Sequence, residues 1–115
     1  MVITLTSALL LSMTAYAYTP MDDARIRLNN CLVDLSIEHL DKKTNQGGFR
    51  KATETGCAEE RQIFFDIVAR DERKYGSNKS ESETYAGEEV QGIINGFLER
   101  YSEYEMDKTR PVKEK

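Results

Sequence analysis

The hydrophobic positions that follow residue 21 recur at intervals of three and four, the spacing typical of an amphipathic α-helix. Three stretches of this kind are predicted to be helices, over residues 22–43, 49–75 and 82–106. A polar turn at residues 44–48 separates the first two, and a polar linker that begins at Gly76 precedes the third. No stretch shows the alternation typical of a β-strand, so the pattern predicts an all-α fold.

The first predicted helix carries apolar side chains on two opposite sides. A surface helix has one apolar stripe, whereas a helix with two stripes packs against neighbours on both sides. We therefore expect this helix to be central in the fold. One group contains Ala24, Leu28, Cys31, Leu32 and Leu35, and the other contains Ile26, Val33, Ile37 and Leu40.

Two cysteines indicate how the first two helices are arranged. Cys31 lies 13 residues before Thr44 and Cys57 lies 13 residues after it, so an antiparallel hairpin folding at residues 44–48 would place them side by side. An even number of cysteines in a small exported domain usually forms disulfides. We predict a Cys31–Cys57 disulfide that staples the hairpin. The alternatives are two buried free thiols or a redox-active pair, although the C-x-x-C spacing of redox pairs is absent.

The third predicted helix has a clear apolar face and an acidic face opposite to it. The apolar face packs either on the first helix or on another chain, the latter giving a homodimer. The expected architecture is thus a three-helix bundle, a stapled hairpin plus a third amphipathic helix. The apolar positions are Ala86, Val90, Ile93, Ile94, Phe97, Tyr101 and Tyr104, and the opposite face carries Glu88, Gly92, Gly96, Glu99 and Glu103.

The N-terminal residues have the features of an export signal. Residues 1–21 contain no charged side chain, and an apolar run over residues 2–13 precedes Ala15-Tyr16-Ala17, a small-residue triplet of the kind that signal peptidases cleave. We predict a signal peptide over residues 1–17, a helical domain over 18–106 and a flexible charged tail over 107–115. No Lys or Arg precedes the apolar run, so a retained membrane anchor and an ordinary first helix stay as alternatives.

Charge narrows the classes of partner. The 115-residue chain has a net charge of -4, which argues against a nucleic-acid-binding protein because such proteins need a dense positive face. Residues 81–107 carry eight acidic side chains against the single base Arg100. The face formed by Glu88, Gly92, Gly96, Glu99 and Glu103 is interpreted either as a solvated outer face or as a docking surface for a cationic partner.

Side chains suited to catalysis are few. His39 is the only histidine. A zinc site with two histidines is therefore impossible, and a Ser-His-Asp triad would have to use His39. Neither a G-x-S-x-G motif nor a phosphate-binding glycine loop is present. We therefore predict no catalytic residues, no cofactor and no metal site, with a small enzyme that uses His39 as a minor hypothesis.

The sequence Cys31…Cys57-Ala58-Glu59-Glu60, set between two apolar helices, resembles a loose group of small exported bacterial helical proteins of unknown function. The resemblance covers residues 24–75. It implies a periplasmic location, and it implies no activity and no site residues.

These observations lead to a functional hypothesis without catalysis. The expected protein is a periplasmic or secreted interaction module that binds a protein partner or a second copy of itself. It would not bind nucleic acid, and it would contact a membrane only if the N-terminal segment is retained as an anchor. The alternative is an acidic inhibitor of a cationic envelope enzyme such as a muramidase.

Overall fold

A computed structural model describes residues 19–115, and every regular element in that range is an α-helix. The helices are α1 (Pro20–Asp41), α2 (Gln46–Thr55), α3 (Ala58–Lys74) and α4 (Lys79–Asp107). The all-α prediction is confirmed, whereas the predicted signal peptide of residues 1–17 lies outside the described residues. Over residues 19–115, no helix combines the length and apolar character needed to cross a membrane.

The predicted count of three helices is wrong, because residues 49–75 form parts of two helices. Gly56 has an extended backbone (φ -68°, ψ 150°) and Cys57 a left-handed one (φ 57°), so the helix stops at Thr55 and restarts at Ala58. A Cβ atom on Gly56 would lie 2.7 Å from Cδ2 of Leu35 and 2.9 Å from the Ala52 carbonyl oxygen. Glycine thus lets the break between α2 and α3 approach α1 closely.

Helix α1 contacts each of the other three helices, as its two apolar sides predict, and its largest contact is with α3. The most extensive contact between two helices is that of α3 with α4, so α1 is not the single central helix. Its start is fixed by a capping box in which the Thr19 side chain accepts from the Asp22 backbone N–H and the Asp22 side chain accepts from the Thr19 backbone N–H. The Thr19 hydroxyl and the Thr19 backbone N–H both donate to the Asp22 carboxylate, and these two hydrogen bonds hold the pKa of Asp22 below its usual value. Its buried residues are Ala24, Leu28, Leu32, Val33, Ser36 and Leu40.

The short helix α2 is anchored to α4 by stacked aromatic rings. The rings of Phe49 and Tyr101 lie 4.1 Å apart between centroids with an interplanar angle of 11°. The Tyr101 hydroxyl donates to the Thr44 carbonyl oxygen at 2.6 Å, which ties the α1–α2 turn to the same ring. Burial raises the pKa of Tyr101, because ionisation would place a charge in an apolar setting.

Helix α4 begins at Lys79, three residues before the predicted start. Its cap is Asn78, whose side chain accepts from the Glu81 backbone N–H at 2.8 Å. All seven predicted apolar positions of the helix are buried or partly buried, and α4 packs most extensively against α3. The apolar face is therefore covered within the chain and offers no argument for a homodimer.

The residues after α4, which fall in the predicted flexible tail, turn back towards α1. Lys108 ends α4 in a left-handed conformation (φ 54°), and the chain then passes back along α1. Pro111 is buried. Through these contacts residues 109–115 belong to the same unit as the four helices.

Candidate functional site

The five residues predicted to form a docking surface lie together on the outer side of α4. Their spacing of four, four, three and four residues places Glu88, Gly92, Gly96, Glu99 and Glu103 along one stripe of the helix. The three glutamates and Gly92 are exposed, and Gly96 is partly buried. We call these five residues the acidic face of α4.

The backbone of α4 is accessible in the middle of this face. A Cβ atom on Gly92 would meet no atom within 4 Å. A Cβ atom on Gly96 would meet only the guanidinium of Arg100, at 3.5 Å, which lies at the end of a flexible side chain above the Phe97 ring. Another protein surface could therefore reach the helix backbone directly at Gly92, whereas at Gly96 it would have to move the Arg100 side chain.

Two bases lie near the acidic face, Arg100 beside Gly96 and Arg50 in a cavity that Glu99 also lines, but neither forms an ion pair with its glutamates. None of Glu88, Glu99 and Glu103 forms an ion pair with another residue in the range 19–115. The negative potential extends to Tyr85 at the edge of the face. Repulsion from Glu89, together with partial burial, a hydrogen bond to Glu89 and smaller effects of Glu72 and Glu88, raises the pKa of Tyr85.

Two adjoining cavities lie beside the acidic face, between α2 and α4. They have volumes of about 390 and 360 Å³ and share Arg50 and Leu98. Glu99 lines the first cavity, and Glu54 and Arg61 line the second. Within the described residues, Oε1 of Gln46 and Nε of Arg61 are buried without a hydrogen-bond partner. These cavities could not be predicted from the hydrophobic pattern, since α2 was not predicted as a separate helix.

The predicted disulfide is confirmed. Cys31 and Cys57 are bonded, and their Cα atoms lie 6.0 Å apart across α1 and the start of α3. A carboxylate oxygen of Glu60 lies within 4.8 Å of both sulfur atoms. Because the sulfurs are bonded to each other, they are not thiolates, and the three residues are not a zinc-ligand set in the oxidised protein.

An open cavity of about 370 Å³ adjoins this disulfide, between α1 and α3. Its charged lining is mainly acidic, because three carboxylates face a single arginine. The residues that line it are Arg27, Asn30, Cys31, Asp34, Glu59, Glu60 and Ile63.

His39 makes local contacts. Its Nδ1 atom lies 2.9 Å from the Thr44 hydroxyl, and its ring centroid lies 6.1 Å from that of Phe49. Both partners belong to the α1–α2 turn and the start of α2. His39 thus connects the end of α1 to the next helix.

Comparisons of the chain with protein-family models, with curated proteins and with solved structures found no match. The functional argument therefore depends on the geometry described above.

Proposed function

We propose that this protein is a non-enzymatic interaction module that docks a cationic protein partner on the acidic face of α4. One observation carries the proposal. The apolar side of α4 is buried or partly buried inside the fold. Its outer side presents three carboxylates without ion-pair partners around an accessible backbone. A face that contacts only water does not require an accessible backbone. A docked partner would use both the carboxylates and the accessible backbone.

The expected partner surface carries Lys or Arg side chains around a flat or ridged centre. Opposite charge accelerates encounter and fixes orientation, and it acts over a Debye length of about 30 Å at 0.01 M salt but only about 8 Å at 0.15 M. The central contact would be made at Gly92, where the partner can reach the helix backbone. Binding of this kind weakens as salt is added.

The proposed location is the periplasm or the extracellular space. The Cys31–Cys57 disulfide supports an oxidising compartment, where such bonds persist. The apolar run and the Ala15-Tyr16-Ala17 triplet support export of the chain.

A cationic muramidase is the first partner to test, because its charge complements the acidic face. Calorimetric titrations at 0.01 and 0.15 M salt would compare wild type with a variant carrying Glu88→Gln, Glu99→Gln and Glu103→Gln. The matched control carries Glu59→Gln, Asp66→Asn and Glu83→Gln, at exposed positions outside the acidic face and its adjoining cavities. Each triple change moves the net charge from -4 to -1 by removing three negative charges.

We expect salt-sensitive binding that the acidic-face variant loses and the control retains. Equal weakening in both variants would mean that net charge alone acts, and would refute a localised docking surface. Muramidase activity measured in the same mixtures separates inhibition from docking without inhibition.

A further inference from the structure

The C-terminal segment, residues 109–115, has no regular secondary structure and lies along α1. The eleven residue steps from Asn30 to Asp41 rise about 16 Å along the helix, and the four steps from Arg110 to Glu114 span about 13 Å when extended, so the contacts fit an extended segment. The segment runs antiparallel to α1, and its charged side chains pair with opposite charges on the helix. The pairs are Arg110–Asp41 at 3.1 Å, Lys113–Asp34 at 2.9 Å and Glu114–Arg25 at 3.0 Å.

Asn30 binds the backbone of this segment. Its Nδ2 atom donates to the Glu114 carbonyl oxygen at 3.0 Å, and its Oδ1 atom accepts from the Glu114 backbone N–H at 2.8 Å. One side-chain amide therefore satisfies both backbone groups of a single residue, as a neighbouring β-strand would do. Such contacts recognise an extended main chain whatever its side chains.

The segment suits this role because its sequence favours an extended chain. Pro111 fixes its own φ near the polyproline value, and it disfavours the helical region for Arg110 before it. A pre-extended segment loses little conformational entropy on docking. The buried Pro111 then adds apolar contact between the charged residues.

The pairs that hold the segment are weak enough to exchange. Their side chains are between 39% and 63% exposed, and exposed ion pairs contribute little to stability because water and salt screen them. The contacts lie entirely at the surface of α1, apart from Pro111. The segment can therefore be displaced without unfolding the helices.

We infer that the side of α1 that carries Asn30, Asp34 and Asp41 is a peptide-docking surface. The chain's own C-terminal segment occupies this surface and competes with a partner for it. The occupant it would accept in exchange is an extended, mainly cationic segment of a partner protein, with two basic residues placed to reach Asp41 and Asp34. The cavity beside the disulfide shares Asn30 and Asp34 with this surface and is mainly acidic. A further Lys or Arg of the partner segment could enter this cavity.

The test weakens the internal competitor and leaves α1 intact. In the full-length protein, Arg110→Glu and Lys113→Glu place negative charges against Asp41 and Asp34. A fluorescent peptide with the sequence of residues 108–115, KTRPVKEK, is then titrated by anisotropy against this variant and against wild type. A scrambled peptide of the same composition controls for nonspecific attraction.

We expect the native-sequence peptide to bind the variant about tenfold more tightly than it binds wild type, because wild type retains its own competitor. Adding Asn30→Ala should reverse this gain about tenfold, whereas the neighbouring Asn29→Ala should leave it unchanged. Equal binding of the scrambled peptide, or no effect of Asn30→Ala, would overturn the inference. A concentration-dependent wild-type dimer that exchanges its C-terminal segments would overturn the assignment to a partner protein.

Discussion

Removing the Cys31–Cys57 disulfide should lower the free energy of unfolding by about 3.5 kcal/mol. The bond closes a loop over a sequence separation of 26 residues, and the loop-entropy relation gives about 3.5 kcal/mol for this length at 25 °C. A domain of this size is stabilised by roughly 5–15 kcal/mol in total. The disulfide therefore supplies a large share of the stability, because the unfolded chain is otherwise free to separate the two ends of the loop.

Urea unfolding monitored by circular dichroism would measure this loss. Oxidised protein is compared with reduced protein and with the Cys31→Ala/Cys57→Ala variant, which separates the loss of the bond from the presence of free thiols. We expect both forms to lose about the same free energy, with a steeper denaturant dependence because the unfolded chain becomes more open. A loss below about 1 kcal/mol in both would refute the reasoning.

Three further predictions concern single residues. Gly92→Ala should raise the free energy of unfolding by about 0.5–1 kcal/mol, since the added Cβ would meet no other atom. Gly56→Ala should lower the free energy of unfolding, because the added Cβ would collide with Leu35 and with the Ala52 carbonyl oxygen. Chemical denaturation measures both changes. Asn78→Ala should lower the free energy of unfolding by about 1 kcal/mol, because α4 loses its N-cap. Ser80→Ala should change the free energy of unfolding little, and chemical denaturation compares the two variants. Tyr101→Phe should lower stability at neutral pH by about 1–2 kcal/mol. Because folding raises the pKa of Tyr101, its contribution is full below the unfolded pKa of about 10 and declines as pH rises above it, so thermal melts between pH 8 and 11 should fall less steeply in Tyr101→Phe.

The sequence allowed the helical class and the disulfide to be predicted because both depend on local spacing. Cys31 and Cys57 lie at equal sequence distances from Thr44 in the turn. They still meet in the fold, although the second predicted helix is divided into α2 and α3. The break itself depends on a tertiary contact. Gly56 stops α2 where the chain approaches Leu35, and periodicity carries no information about that approach.

The outer face of α4 was predictable for the same reason, since residues on one helix at intervals of three and four must share a side. The position of the C-terminal segment was not. Its contacts join residues 69 to 89 positions apart in the chain, such as Arg110 with Asp41 and Glu114 with Arg25. Its charged sequence predicts only a flexible tail, and the folded chain alone shows which helix the segment meets.

The central claim, docking through the acidic face of α4, is tested most directly by capture from the native host's envelope extract. Oxidised wild type, the variant with Glu88, Glu99 and Glu103 changed to Gln, and the charge-matched control are crosslinked at low and high salt, and bound proteins are identified by mass spectrometry. The account predicts a cationic protein captured by wild type and by the control at low salt, lost at high salt and lost in the acidic-face variant. Capture of the same protein by all three at both salt concentrations would contradict it.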